Sequence, residues 1–192
     1  NLIGAIFSEM VAWGENFFLK KTREENTYLN KIALNVSIKY NNLKLSPFHS
    51  LIGNDEYIFD SVQSNIPTLS LLKYPYKEYH TSDDNINCVN KNDLKSAEEI
   101  IKYIIHIIEN DKIYIWNLNV PPLLSKFNLY YDAEHDKINH KIMFDIVYLY
   151  LNGKNSVLDI ANKLNLDFDK INNFVQRLYD QKLIKKANIL KF

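Results

Sequence analysis

Most of the side chains that could do chemistry lie in one polar segment. Residues 74–85 read Tyr-Pro-Tyr-Lys-Glu-Tyr-His-Thr-Ser-Asp-Asp-Asn, without a helical or strand period, and they bring His80 close in sequence to Glu78, Asp83 and Asp84. Imidazole and carboxylate groups are typical ligands of a catalytic zinc ion. Asp84 could also accept a hydrogen bond from the segment itself, or from the ring nitrogen of His80 that does not face a metal. A solvated surface loop with one titratable histidine explains the same residues, and composition alone favours that interpretation.

Glu9 is a second candidate. It follows the mostly apolar residues Gly4-Ala5-Ile6-Phe7-Ser8, which are typical of a core strand. Burying an unpaired carboxylate costs free energy, so a bound metal would explain its position. A solvent-facing strand end, with Glu9 paired to Lys20 or Lys21 across a hairpin, explains it equally well.

The remaining histidines and the cysteine show no such grouping. His49, His106, His135 and His140 have no second ligand at metal-binding spacing, so we interpret them as structural or surface residues. The single cysteine, Cys88, excludes an internal disulfide and favours a reducing compartment, which we expect to be the cytoplasm. No apolar run is long enough for a membrane-spanning helix, so we expect no membrane partner.

The apolar pattern predicts a scaffold for these residues. Residues 2–12 and 16–21 are rich in Ile, Phe and Val and are expected to pair as a hairpin around a turn that contains Gly14. Apolar side chains spaced i, i+3, i+4, i+7 predict amphipathic helices, and short apolar runs predict strands. The helices are expected at 27–40 and 92–111, and the further strands at 43–51, 67–74 and 113–116. Alternating strands and helices predict an α/β domain with a largely parallel or mixed sheet.

Charge divides the chain into two parts. Residues 1–136 carry 13 basic and 18 acidic side chains, a net charge of −5, whereas residues 137–192 carry 10 and 5, a net charge of +5. The basic part is predicted to contain three helices and a terminal strand, which is the order of a winged helix-turn-helix. We therefore expect an α/β domain over 1–112, a connecting strand and linker over 113–136, and a winged helix-turn-helix domain over 137–192.

The winged helix raises the question of DNA binding. Its positive net charge favours DNA binding. On the expected recognition helix, however, three acidic residues outnumber two basic ones. The acidic residues are Asp167, Asp169 and Asp180, and the basic residues are Lys170 and Arg177. Acidic side chains there would repel phosphates, so we expect no nucleic-acid partner. The opposite charges of the two parts predict instead that the basic part docks on an acidic one, either its own or that of a second copy in a homo-oligomer.

Several stretches of the sequence resemble one family. The string His80-Thr81-Ser82-Asp83-Asp84 resembles the His-Thr-x-x-Asp loop that supplies the last metal ligand of di-zinc aminopeptidases, a group that includes the glutaminyl cyclases. Four stretches together resemble an aminopeptidase-like bacterial family associated with polysaccharide biosynthesis, whose members end in a winged helix. They are Asn54-Asp55-Glu56, Asn65-Ile66-Pro67, Tyr76-Lys77-Glu78-Tyr79-His80-Thr81-Ser82 and Leu129-Tyr130. The resemblance covers essentially all 192 residues.

The resemblance implies a fold and a set of site residues. It implies part of a zinc-aminopeptidase-like mixed β-sheet domain, in which His80 is the last metal ligand. Glu9 occupies the place of an Asp ligand and is one methylene longer. Asp55 matches an acidic residue near the substrate, although a turn residue after Gly53 is the commoner role. The first His, the bridging Asp, the catalytic Glu and its neighbouring carboxylate would lie upstream and have no counterpart in this sequence.

The hypothesis that results is the C-terminal part of a zinc-dependent hydrolase, which would cleave a small peptide or amide-containing substrate with metal-activated water. Glu9 and His80 are two ligands where zinc needs three or four, so the chain alone is expected to be inactive and to hold zinc weakly or not at all. The missing N-terminal part of the same protein is then a required partner. The alternatives are a non-catalytic binding or scaffold module of the same fold and a DNA-binding regulator.

Overall fold

The computed structural model describes residues 2–127, 129 and 139–187. Residue contacts divide the chain into two compact units, 1–106 and 107–192. In chain order the first unit contains β1 Ala5–Ser8, β2 Asn16–Lys20, α1 Tyr28–Lys39, β3 Leu43–Ser46, α2 Glu56–Phe59, β4 Thr68–Tyr74 and most of α3 Lys91–Asn110. The predicted helices and the strand at 67–74 are confirmed, whereas the strand expected at 43–51 ends at Ser46.

The four strands of the first unit form one mixed sheet in the order β1-β4-β2-β3. β1 pairs with β4 and β2 pairs with β3 in parallel, while β2 and β4 are antiparallel. The expectation of an α/β domain with a mixed sheet is therefore confirmed.

The predicted hairpin between β1 and β2 is wrong, because β4 lies between these two strands. Residues 68–73 of β4 are all buried. A fully buried strand needs backbone partners on both sides, since unpaired buried N–H and C=O groups are costly. The chain leaves β1 at Met10, which has a positive φ of 46° and whose carbonyl accepts a bond from the Lys73 N–H at 3.3 Å.

The two faces of this sheet differ in polarity. Side chains alternate between faces along a strand, so the register places Leu19 and Leu71 on one face and Lys20 and Ser70 on the other. α1 packs on β3 and β4, and its buried side chains are four apolar residues, Leu29, Ile32, Ala33 and Val36, and two asparagines, Asn30 and Asn35. α2 also packs on β4. A buried polar row, Ser46, Lys20 and Ser70, crosses β3, β2 and β4 in register.

The described residues of the second unit include a small sheet, a short 3-10 helix Leu124–Phe127 and three longer helical segments. Its elements are β5 Ile113–Trp116, α4 His140–Asp145 with a π-helical continuation Ile146–Tyr150, β6 Asn152–Ser156, α5 Val157–Lys163, α6 Phe168–Asp180 and β7 Ile184–Lys186. The sheet is antiparallel in the order β6-β5-β7. The strand that the sequence placed in the connecting segment is thus the central strand of this sheet. These strands and helices are the secondary-structure elements of a winged helix-turn-helix.

Within the described ranges, no helix is both long enough and apolar enough to cross a membrane.

Candidate functional site

Glu9 lies immediately after β1, where its N–H donates to the Leu71 carbonyl at 3.1 Å. One carboxylate oxygen, Oε2, accepts a hydrogen bond from the side-chain amide of Asn54. The other oxygen, Oε1, is buried and has no hydrogen-bond partner among the residues that the structure describes. Burial raises the pKa of this carboxyl above its ordinary value; the Asn54 bond and the charge of Lys20 oppose that shift, and the charge of Glu56 adds to it.

A buried ion pair between Lys20 and Glu56 is connected to Glu9 through Asn54. Lys20 Nζ donates to Glu56 Oε1 and to the Ile52 carbonyl, each at 2.6 Å, and the two charged side chains are 0% and 1% exposed. The second Glu56 oxygen accepts the backbone N–H of Asn54 at 3.1 Å. Lys20, Glu56, Asn54 and Glu9 therefore form one continuous polar chain. The predicted pairing of Glu9 with Lys20 or Lys21 across a hairpin is wrong, because β4 separates β1 from β2 and Lys20 is bonded to Glu56.

Asp55 is exposed at the start of α2. Its side chain makes no capping bond to the helix. Its charge contributes slightly to the raised pKa of Glu9. A role on the substrate side stays a prediction, and the position is that of a turn residue.

The loop after β4 carries His80 at its surface. His80 is exposed, has a positive φ of 60°, and stacks on Tyr79 with 3.9 Å between ring centroids. Asp84 accepts a hydrogen bond from the Tyr76 hydroxyl, and this bond is the main reason why the pKa of Tyr76 is raised. Of the two roles considered for Asp84, the structure shows a bond within the loop itself.

β1 and β4 are parallel, so Glu9 and the His80 loop both follow the carboxyl ends of neighbouring strands, at the same end of the sheet. Nevertheless, in the part of the chain that the structure describes, no group of three or more His, Cys, Asp or Glu side chains is placed to hold a metal ion. The free buried oxygen of Glu9 suits a metal ligand. Two candidate ligands fall short of the three or four that a zinc site needs.

Sequence reasoning missed the residues that support Glu9. Lys20 ends the run Asn16-Phe-Phe-Leu-Lys and gives no sign of being fully buried. Glu56 and Asn54 belong to a stretch that the resemblance singled out, but their link to Glu9 spans 45 residues and is set by the sheet order. A charged residue at the end of an apolar strand was the available signal.

His49, His106 and Cys88 each have contacts within the described residues. His49 contacts the rings of Phe48 and Tyr57, and His106 is half-buried beside Tyr103. Cys88 is buried, with its thiol 3.5 Å from the Asp83 carbonyl. His135 and Tyr130 lie outside the described residues, as does the side chain of His140.

Comparison with known proteins identifies the first unit. The sequence pattern of a family described as Domain of unknown function (DUF4910) matches residues 3–111, more than half of the chain. The chain belongs to the DUF4910 family. A second pattern, described as a winged helix-turn-helix, matches residues 117–186, beyond the DUF4910 match. The expected C-terminal winged helix is therefore confirmed.

Two proteins from Clostridium acetobutylicum are similar to this DUF4910 chain. One is provisionally named a polysaccharide biosynthesis protein with an aminopeptidase-like domain; it is 35% identical over 143 residues, which are 69% of this chain and 32% of that protein. The other is a crystal structure of a provisionally assigned peptidase, with 28% identity and a TM-score of 0.80 over 94% of this chain and 41% of its own. The chain thus spans 32% of the length of the first relative and 41% of the second. The peptidase-like fold and the resemblance to an aminopeptidase-like family are confirmed.

Proposed function

We propose that this chain is the part of a zinc-dependent aminopeptidase-like hydrolase that contributes two metal ligands, Glu9 and His80. The further ligands and the general base would come from residues outside this sequence. The observation that carries the proposal is the buried, unpartnered oxygen of Glu9 at the sheet end that also bears the His80 loop. The aminopeptidase-like name of one relative and the peptidase assignment of the other support the same chemistry.

Each residue of this chain has a defined task in the proposed site. When bound, zinc would lower the pKa of a coordinated water so that it attacks an amide carbonyl. Asn54 holds one oxygen of Glu9 and leaves the other free, and the Lys20–Glu56 pair holds Asn54 through its backbone. His80 presents an exposed imidazole, and the Asp84–Tyr76 bond ties its loop. Asp55 would face the substrate, which we propose is a small peptide or an amide-containing intermediate of polysaccharide biosynthesis.

The test uses a full-length protein that carries this sequence. His80→Ala and Glu9→Ala should each lower the zinc content and abolish hydrolysis of aminoacyl-amide substrates. His106→Ala, on α3, should change neither, because His106 stacks on Tyr103 and is not one of the proposed ligands. Unchanged zinc content and activity in His80→Ala would show that the loop after β4 is not a metal loop.

A non-catalytic binding or scaffold module is the second candidate function. It is favoured by one observation: the described residues group no three metal-binding side chains. The two candidates differ in the coding sequence upstream of Asn1. A His, an Asp and a Glu pair encoded there would favour the hydrolase, whereas a start codon directly before Asn1 would favour the scaffold.

A further inference from the structure

A polar cleft of about 320 Å³ lies in the first unit, apart from both Glu9 and His80. It is lined by the turn between β1 and β2, the end of β4, the first residues of the following loop and the first turn of α3. Its volume falls at the lower end of the range for small-molecule sites. Trp13, Lys73, Glu78 and Asp93 are the lining residues on which the argument rests.

The side chains of the cleft are held in place before any ligand arrives. Lys73 is 6% exposed and donates from Nζ to Asp93 Oδ2 at 2.5 Å. The indole N–H of Trp13 donates to Glu78 Oε2 at 3.0 Å. Each bond joins a residue of one wall to a residue of another, so the two pairs keep the walls at a fixed separation. A site that is already ordered loses less conformational entropy when it binds a ligand.

The backbone around the cleft is fixed as well. The Asn90 N–H donates to the Ala12 carbonyl at 2.9 Å, and the Glu15 N–H donates to the Pro75 carbonyl at 3.2 Å. Gly14 has a φ of +124°, and a Cβ at this position would lie 3.0 Å from Lys73 Cβ. A side chain at this position would be strained by the positive φ and would press on β4, so glycine suits this close approach of the turn.

The hydrogen-bonding groups of the cleft indicate a class of ligand. Two ammonium groups, of Lys73 and Lys77, can donate, and three carboxylates, of Glu15, Glu78 and Asp93, can accept. An anionic ligand would meet the carboxylates and a cationic ligand would meet the ammonium groups. A hydroxyl group donates and accepts at once, so a ligand with several hydroxyls can use both kinds of partner. Trp13 adds an apolar aromatic surface beside these polar groups.

We propose that this cleft binds a neutral, hydroxyl-rich ligand, namely a single saccharide unit, whose hydroxyls bond to Lys73, Glu78 and Asp93 while a C–H face of its ring packs on Trp13. The proposal does not depend on the metal site, because neither Glu9 nor His80 lines the cleft. Saccharide binding in the cleft can therefore be disproved while the hydrolase function holds, and the hydrolase function can be disproved while saccharide binding holds.

Saturation-transfer NMR on the full chain tests the proposal directly. The neutral probes are methyl α-glucoside, methyl β-galactoside and methyl N-acetyl-β-glucosaminide. Methylammonium and acetate serve as small cationic and anionic probes for comparison. We expect saturation transfer to at least one glycoside and a dissociation constant that rises at least tenfold in Glu78→Gln and in Trp13→Ala. The control variant is Glu98→Gln, which alters an exposed carboxylate of α3 outside the cleft and should leave binding unchanged.

The outcomes that overturn the proposal are equally defined. Absence of transfer to all three glycosides overturns it, as does tighter binding of methylammonium or acetate than of any glycoside. Glycoside binding that persists in both Glu78→Gln and Trp13→Ala places the ligand elsewhere and also overturns it. Glu78→Gln conserves the size and shape of the side chain, so it decides the question even if Trp13→Ala fails to fold.

Discussion

Lys20 and Glu56 form an ion pair with 2.6 Å between Nζ and Oε1, and both side chains are excluded from solvent. The pair lies on the polar face of the sheet, where Ser46 and Ser70 flank Lys20 in register and their hydroxyls have no hydrogen-bond partner among the described residues. Desolvating two charges is costly, and their attraction repays the cost only while both partners are present. The pair thus ties β2 to the first residue of α2. Asn54 lies two residues before this helix, and its backbone N–H is bonded to Glu56.

Breaking this pair should destabilise the chain strongly. Glu56→Gln leaves the Lys20 ammonium buried without a counter-charge, and we expect the free energy of unfolding to fall by about 3–5 kcal/mol. Urea denaturation followed by circular dichroism measures the change. Glu98→Gln breaks an exposed pair with Lys102 on α3 and should leave the midpoint unchanged. Equal midpoints for Glu56→Gln and Glu98→Gln would contradict the assignment of a buried pair.

The raised pKa of Glu9 predicts a pH-dependent loss of stability. Burial is its main cause, so the folded chain holds the Glu9 proton to a higher pH than the unfolded chain, whose ordinary value is 4.5. The folded state then binds more protons, and stability falls as the pH rises from 4.5 through the raised pKa. Glu9→Gln removes this loss. The variant should be more stable than the wild type at pH 7, and the difference should shrink towards pH 4.5.

Urea midpoints measured at intervals between pH 4 and pH 7 separate this effect from others. Glu98→Gln is the control, because the pKa of Glu98 is lowered by its bond to Lys102 and the substitution should not make the chain more stable at pH 7. If Glu9→Gln were less stable than the wild type at neutral pH, the Glu9 carboxylate would have a favourable partner that the geometry does not show.

Local patterns were sufficient to predict most elements of the fold. The helices expected at 27–40 and 92–111 are Tyr28–Lys39 and Lys91–Asn110, and the strand expected at 67–74 is Thr68–Tyr74. Each of these segments has a regular apolar period of its own. The winged helix-turn-helix of the second unit could also be predicted from the sequence, because its helices α4, α5 and α6 follow one another closely along the chain.

The strand order could not be predicted, because it depends on residues distant in sequence. β1 and β2 are close along the chain and suggested a hairpin, yet each pairs with β4, whose residues lie 50 to 63 positions further along the chain than their partners. The contacts of Glu9 follow from that order. Once β4 separates the two strands, Lys20 is directed to Glu56 and Asn54 becomes the partner of Glu9. The local sequence around Glu9 contains no signal for a hydrogen bond that arises only because β4 lies between β1 and β2 in the sheet.

We expect the chain on its own to hold less than one zinc ion. Glu9 and His80 are the candidate ligands, and zinc sites use three or four protein ligands. Metal analysis after dialysis against a weak chelator should give a substoichiometric value, and His80→Ala should give the same value as the wild type. One zinc per chain that survives dialysis and is lost in His80→Ala would show that the described residues form a complete site.

Ser156 should stabilise the second unit as the N-cap of α5. Its hydroxyl accepts the Asp159 N–H at 3.2 Å and the Asp159 carboxylate accepts the Ser156 N–H at 3.1 Å, a reciprocal capping box. Ser156→Ala removes one of these bonds and should lower the free energy of unfolding by about 1 kcal/mol. Thermal denaturation checks the value. Ser125→Ala, at an exposed position, is the matched control, and an equal effect of both substitutions would refute the capping role.

The expected recognition helix of the second unit is poorly suited to binding DNA. α6 occupies the position of a recognition helix, but its N-cap is Asp167, its first turn contains Asp169, and Lys170 is bonded to Asp167 at 2.9 Å. Phosphates approaching this end would meet two carboxylates and a lysine that is already paired, so the counterion release that drives DNA binding would be small. We expect no shift of random-sequence duplex at about 50 mM salt, a condition under which basic DNA-binding proteins bind tightly.

Charge-removing variants make that expectation decisive. Asp167→Asn and Asp169→Asn together should create weak, salt-dependent binding by the intact chain, because they remove the repulsion and release Lys170. Asp180→Asn, at the other end of α6, is the control and should not. Fluorescence anisotropy with a labelled duplex measures both. If the wild type itself bound duplex DNA with a steep salt dependence that Lys170→Ala abolished, α6 would be a functional recognition helix. The DNA-binding regulator hypothesis would then replace the prediction that the basic part docks on an acidic one.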